Sequence, residues 1–336
     1  MRLRSAAPLL AALALAGCTS GGGGSTVHQL SDGRYAMGTV LEITLHGRDP
    51  VALARARDRV FATVEHLEAL LSRWRDASDI ARVNAAGGAP LELRPVVLDL
   101  LGASLRFRDL TRGSFDVTIG PLASLWARAM ERQRLPSEAE IRAARARVGA
   151  GQLRIAEGRV TLSPGATLDL GGVAKGYALD RVLPVLREER VESALLSFGQ
   201  SSVWAVGAPP GAPGWTLLAR APDGGFAGLM TLRDRALSVS GSLGQWTEIE
   251  GRRYGHVIDP RTGWPLTRRR QALVVTRNAA LAEALSKALL ILGEGEGVAL
   301  VETLPDCEGL LLDVQSGRVA SRGFDASTRF EPLGIQ

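Results

Sequence analysis

Cysteine and lysine are nearly absent from this chain of 336 residues. Two cysteines, Cys18 and Cys307, cannot build a disulfide framework, so the fold must rest on a hydrophobic core. The length suffices for one large domain or two smaller ones. Lysine stands only at Lys175 and Lys287, and arginine holds every other one of the 40 basic positions. Aromatic residues make up 5%, and the arginines alternate with acids, as in Arg55, Arg57, Asp58, Arg59 or Arg187, Glu188, Glu189, Arg190. That pattern argues against a nucleic-acid surface, and a net charge of +5 names no partner. Beyond the N-terminus no apolar run approaches the roughly 20 residues that a membrane-crossing helix needs.

The N-terminus carries a different signal. Arg2 and Arg4 precede an apolar run over residues 6–16, the charged and hydrophobic regions of a secretory signal. The run ends in Leu15-Ala16-Gly17-Cys18, which resembles the lipobox of bacterial lipoproteins. A signal peptide over 1–17 and acylation of Cys18 are therefore expected. A Gly/Ser-rich tether over 18–33 should follow, since its glycines and serines offer little to bury. This places the chain on the periplasmic or extracytoplasmic side of a bacterial membrane, the inner membrane favoured, and leaves Cys307 as a small core residue.

One domain over 34–336 is expected. Residues 39–45 alternate as a strand, while Val60, Val64, Leu67, Leu70 and Leu71 recur at helical spacing within 51–71. Further helices are read over 96–110, 121–132, 137–148, 174–187 and 279–292. Short strands are read over 195–198, 203–206, 216–219, 237–239, 246–249 and 254–258, divided by Gly/Pro turns. Helices and strands mix without the regular alternation of a doubly wound sheet, which gives an α+β class.

Five segments combine glycine with ionisable groups: Tyr35 to Thr39; Leu71 to Trp74 with Ser78 to Asn84; Thr111 to Leu122; Leu168 to Asp180; and Tyr254 to Pro265. In the fourth, a strand runs into Gly171-Gly172 and opens a helix with Lys175 in its first turn. Backbone N–H groups at that turn suit an anion, and the lysine suits a phosphate. Neither the dinucleotide fingerprint nor the P-loop spacing is met, and a plain tight turn is the other reading. In the fifth, His256 lies beside the rigid turn Asp259-Pro260-Arg261-Thr262-Gly263, which makes it an acid/base candidate.

Together these segments resemble the FAD:protein FMN transferase family, also called ApbE, in order along nearly the whole chain. Ser114-Phe115-Asp116-Val117-Thr118, the stretch 168–176 and Asp259-Pro260-Arg261-Thr262-Gly263 carry the resemblance. It implies a fold of mixed helices and mainly antiparallel sheets with the site in a central cleft. It also implies cleavage of FAD, release of AMP and attachment of FMN by a phosphoester to Thr/Ser of a partner flavoprotein. Carried over residue by residue, Met37 and Trp74 line the flavin pocket, and Ser114, Phe115, Asp116 and Asp169 contact FAD. Lys175 meets the diphosphate, His256 takes the acceptor hydroxyl proton, and Val257 and Ile258 touch FAD through their backbone. An FAD pyrophosphatase and a non-catalytic FAD-binding lipoprotein are the alternatives.

The resemblance further implies Mg²⁺, held by a backbone carbonyl of the Gly171-Gly172 turn (Gly172) and by an aspartate and a threonine one helical turn apart. This chain has Glu283 and Lys287 at those two positions. An ammonium cannot ligate Mg²⁺ and repels it, so the metal should bind more weakly. Lys287 is expected either to pair with Glu283 or to put its ammonium where the ion would sit. A second departure is Phe198-Gly199-Gln200-Ser201-Ser202, where the family usually shows a Gly-Gly pair before a polar residue.

Overall fold

The computed structural model describes residues 26–242 and 244–333. The expected signal peptide and Cys18 lie outside the described residues. Residues 28–33, expected as the far end of the tether, lie instead in strand β1 (His28–Ala36). It pairs antiparallel with β2 (Thr39–Gly47), Tyr35 opposite Val40. β1 escapes a reading by alternation because it is an edge strand with few inward side chains, so main-chain bonds hold it.

Next come α1 (Pro50–Leu71), α2 (Asp79–Ala85), β3 (Leu91–Glu92), α3 (Pro95–Leu110), α4 (Gly120–Arg132) and α5 (Glu138–Arg145). The chain continues through β4 (Leu153–Ala156), β5 (Arg159–Leu162), α6 (Ala174–Glu188), β6 (Ser193–Phe198), β7 (Ser202–Val206), β8 (Trp215–Arg220), β9 (Phe226–Leu232) and β10 (Arg235–Gly241). It closes with β11 (Trp246–Ile249), β12 (Arg252–Gly255), β13 (Arg270–Thr276), α7 (Ala279–Glu302), β14 (Glu308–Asp313), β15 (Gly317–Ala320), α8 (Phe324–Thr328) and β16 (Glu331–Pro332).

Local chemistry sets the helix starts. Asp49 caps α1 by accepting from Val51 N at 2.8 Å, with Pro50 at the first position, where its missing N–H costs nothing. Ser137 and Glu140 form a capping box on α5. Two expected boundaries move. The helix expected to stop at 292 resumes after a break at Gly293, whose φ of 78° a glycine tolerates, and reaches Glu302. The strand expected over 254–258 ends at Gly255, because the next residues turn to meet Gln245 and Trp264.

Eight strands form one antiparallel sheet in the order β1-β2-β6-β7-β10-β13-β14-β15. Alternation along its strands feeds two cores. Leu41, Ile43, Leu196 and Phe198 pack with α1 and α6, and Ala272, Val274 and Leu311 with α7 and buried Cys307. The opposite face, through Leu195, Val203, Leu237, Leu273 and Leu310, packs under β8, β9 and Phe324 of α8. The α+β class and mainly antiparallel sheets hold.

α6 and α7 cross at Gly176, where a Cβ would stand 2.3 Å from the carbonyl oxygen of Ala279 and 2.8 Å from Ala280 N. Backbone cannot yield there as a side chain could. Gly176→Ala is therefore expected to destabilise the fold by about 2 kcal/mol, read as a lower urea midpoint at unchanged slope.

Candidate functional site

A cavity of about 760 Å³ opens between the loops at one end of the large sheet, and four segments build its walls. The first is the turn into α6. Asn84 clamps Leu168 from both sides, accepting from its N–H at 2.6 Å and donating to its carbonyl at 3.1 Å. Asp169 then accepts from Gly171 N at 2.9 Å, and its other oxygen meets Arg73 at 3.1 Å. The chain enters α6 at Gly172, where a Cβ would come within 3.1 Å of Lys287 Cε and 3.4 Å of Phe115 Cε2. Lys175, in the first turn of α6, donates to Ser201 Oγ at 2.8 Å.

The second wall is Ser114-Phe115-Asp116, fixed by its own hydrogen bonds. Ser114 Oγ donates to the carbonyl of Thr111 at 2.7 Å. Buried Asp116 accepts from Thr118 N at 2.8 Å and from Arg108 Nε at 2.8 Å. With both carboxylate oxygens engaged, Asp116 shapes the wall and adds little free charge to it.

The third wall carries His256, Val257 and Ile258. Paired main-chain bonds brace it: His256 N donates to the carbonyl of Gln245 at 3.0 Å, and Leu266 N to that of Val257 at 2.8 Å. Beyond it Asp259 grips Arg261 Nε at 3.0 Å, and Trp126 Nε1 donates to the carbonyl of Gly263 at 2.8 Å, tying the turn to α4. The imidazole is open to the cavity, yet protein surrounds it. Burial lowers its pKa below the ordinary 6.5, and the ammoniums of Lys287 and Lys175 push the same way. The carbonyl of Gln245 can only accept, so Nδ1, 3.3 Å away, carries the proton and Nε2 is the basic nitrogen.

The fourth wall is α7. Glu283 is buried, and one carboxylate oxygen accepts from Ser202 Oγ. The other, Oε2, is the single buried side-chain polar atom without a hydrogen-bond partner among the described residues. Lys287 Nζ, one turn on, donates to the main-chain carbonyl of Glu283 at 3.0 Å. Burial brings the Lys287 pKa down to about 8, against the pull of Glu283 and with a push from Lys175.

Met37, Ser114, Phe115, Asp116, Asp169, Gly172, Lys175, His256, Val257, Ile258, Glu283 and Lys287 thus line one cavity. Trp74 does not. It is 79% exposed, its ring lies under the Arg73 guanidinium at 4.3 Å, and the Arg73–Asp169 ion pair separates it from the wall. Besides Phe115, the cavity is lined by the aromatic Trp246, which sequence patterning passed over as a strand residue. Ser201 and Ser202 were also missed in role, although Phe198 to Ser202 had drawn notice as a departure. Their hydroxyls engage Lys175 and Glu283.

The divalent ion that the resemblance implies does not fit the residues present. Mg²⁺ needs several oxygen ligands in near-octahedral array. Here one carboxylate oxygen is free, Ser286 Oγ is taken up by Ser238 and Ser240, and an ammonium holds the neighbouring position.

Fold and cavity define a class, and comparison with known proteins identifies it. The sequence profile of the ApbE family matches residues 37–311, and the chain belongs to that family. An FAD:protein FMN transferase of Klebsiella pneumoniae (strain 342) is 31% identical over 303 residues, 86% of each chain. One of Treponema pallidum (strain Nichols) is 28% identical over 320 residues, 89% of this chain and 88% of that one. The crystal structure of the Pseudomonas stutzeri flavinyl transferase ApbE, apo form, superposes with a TM-score of 0.80 at 28% identity, covering 92% of this chain and 98% of that one.

Proposed function

We propose that this chain is an FAD:protein FMN transferase. The observation that carries the reading is the convergence of Lys175, Lys287 and His256 on one cavity, close enough that both ammoniums act on the imidazole. Two cations at one end of a large cavity suit a diphosphate, and a neutral imidazole beside them suits a hydroxyl about to lose its proton. The Thr or Ser oxygen of the acceptor bonds to the phosphorus on the FMN side. The bridging P–O bond breaks and its electron pair leaves with AMP. His256 Nε2 takes the hydroxyl proton, and Lys175, held by Ser201, offsets charge on the diphosphate oxygens. Val257 and Ile258, fixed by main-chain bonds, form the wall against which FAD packs.

Incubation with FAD and an acceptor flavoprotein domain tests this. The acceptor should gain the mass of FMN less water, with AMP released. Free FMN and AMP without a shifted acceptor would mean an FAD pyrophosphatase, and intact bound FAD a carrier. The N-terminal pattern of Arg2, Arg4, residues 6–16 and Cys18 supports a lipid anchor facing the periplasm, with the acceptor a membrane or periplasmic flavoprotein.

The lowered pKa of His256 sets a pH dependence. A base whose pKa falls stays neutral to lower pH, so the acid limb of kcat/KM is expected below pH 6.5. A pH profile with that limb above 6.5 would assign the proton transfer to another group.

A further inference from the structure

We infer that Lys287 is the resident cation of this site: with Lys175 it holds the diphosphate of FAD without a divalent metal ion. The identity of the ligand rests on the transferase reading; the cation does not. Glu283 and Lys287 share a helix face, but they are not an exposed surface pair. The Glu283 carboxylate is buried on Ser202, while the ammonium is drawn over the main-chain carbonyl of Glu283 and its stem crosses the bare Cα of Gly172. A side chain at Gly172 would meet that stem, so the glycine turn and the lysine occupy adjoining space at the mouth of α6.

Charge balance points the same way. Of the other carboxylates lining the cavity, Asp116 and Asp169 are tied to Arg108 and Arg73, and Asp223 is accompanied in the lining by Arg220, Arg269 and Arg270. Glu283 is left as the counter-charge to two ammoniums, with one oxygen unpartnered. The inner end of the cavity therefore holds a surplus positive charge fixed in the protein, which an anionic oxygen can neutralise. A divalent ion at the same place would face an ammonium within the same helical turn.

The scarcity of lysine makes the test direct, because an amine-acylating reagent has only Lys175 and Lys287 to modify among side chains. In the native full chain, with EDTA present and FAD tenfold above its Kd, acylation of both lysines is expected to slow by roughly tenfold, read from peptide masses. FAD affinity should be the same in EDTA and in excess MgCl₂. Lys287→Thr should weaken FAD binding in EDTA by roughly tenfold or more, the loss of one charge-assisted contact. Three results overturn the inference: Lys287 acylated at equal rates with and without FAD, Mg²⁺ tightening FAD on the native chain by about tenfold, or no FAD binding at all. All three use the unaltered protein, so misfolding of the variant cannot hide them. If both lysines are protected but the acceptor is never modified, the transferase reading fails and this inference stands.

Discussion

His256→Ala is expected to slow FMN transfer by roughly 10²- to 10⁴-fold, the usual range for removing a general base, while FAD still binds. The split follows from where the residue sits. In the proposed arrangement Lys175 and Lys287 reach the diphosphate from α6 and α7, whereas the imidazole comes from a third segment braced by its own main-chain bonds. Truncating the ring leaves those bonds in place, because they run through His256 N and the carbonyl of Gln245. Removal of the ring also relieves no strain on the ammoniums, since a neutral imidazole carries no charge to repel them. The measurement is single-turnover transfer to the acceptor beside FAD titration of the same preparation. Transfer within about tenfold of native, with FAD binding intact, would show that the hydroxyl loses its proton elsewhere.

The parts of this molecule that were legible in the sequence are those in which chemistry and local structure share residues. Lys175 and Gly172 stood out because a glycine turn opening a helix has few uses. His256 stood out because a rigid Asp-Pro turn follows it, and Lys287 because lysine is so scarce. Periodicity found α1 and α6, whose buried faces repeat cleanly. It missed β1, with almost no buried face, and β9 and β14, which pair in hairpins with β8 and β15 but whose residues Phe226–Leu232 and Glu308–Asp313 show no alternation of apolar and polar side chains. It also stopped α7 at Gly293, where a glycine marks a kink and not an end. Trp74, assigned to the flavin pocket through the family resemblance, stands outside the cavity lining, stacked under Arg73, whose ion pair with Asp169 joins residues far apart in sequence. Partners such as Ser202 on Glu283 depend on two strands and a helix meeting, which no local pattern encodes.

Asp180 is the clearest case of a residue visible in the sequence without its role, and Asp180→Ala is expected to cost about 4 kcal/mol. The carboxylate lies on α6 and accepts three donors: Trp204 Nε1 at 2.9 Å, Ala279 N at 2.8 Å and Ala280 N at 3.0 Å. The last two are the first N–H groups of α7, which lack partners within their own helix, and Asn278 satisfies only the next, Leu281 N, at 2.7 Å. A negative group at that end also complements the helix dipole. Burial raises the Asp180 pKa while the three donors pull it down, so the site depends on the donors being met. Alanine leaves all three unsatisfied in a mostly enclosed position, each at a cost of roughly 1–3 kcal/mol. Asp180→Asn should cost less, about 2 kcal/mol, because one acceptor oxygen survives while its amide faces a donor. Urea unfolding of both variants measures this, and an alanine variant within about 1 kcal/mol of native would refute it. The consequence reaches the site, because Glu283 lies one turn from Ala279 and Lys287 one turn further. A loosened start of α7 should weaken FAD binding even where the variant remains folded, and Lys287→Thr in the same background should then cost less than it does alone, as coupled positions do.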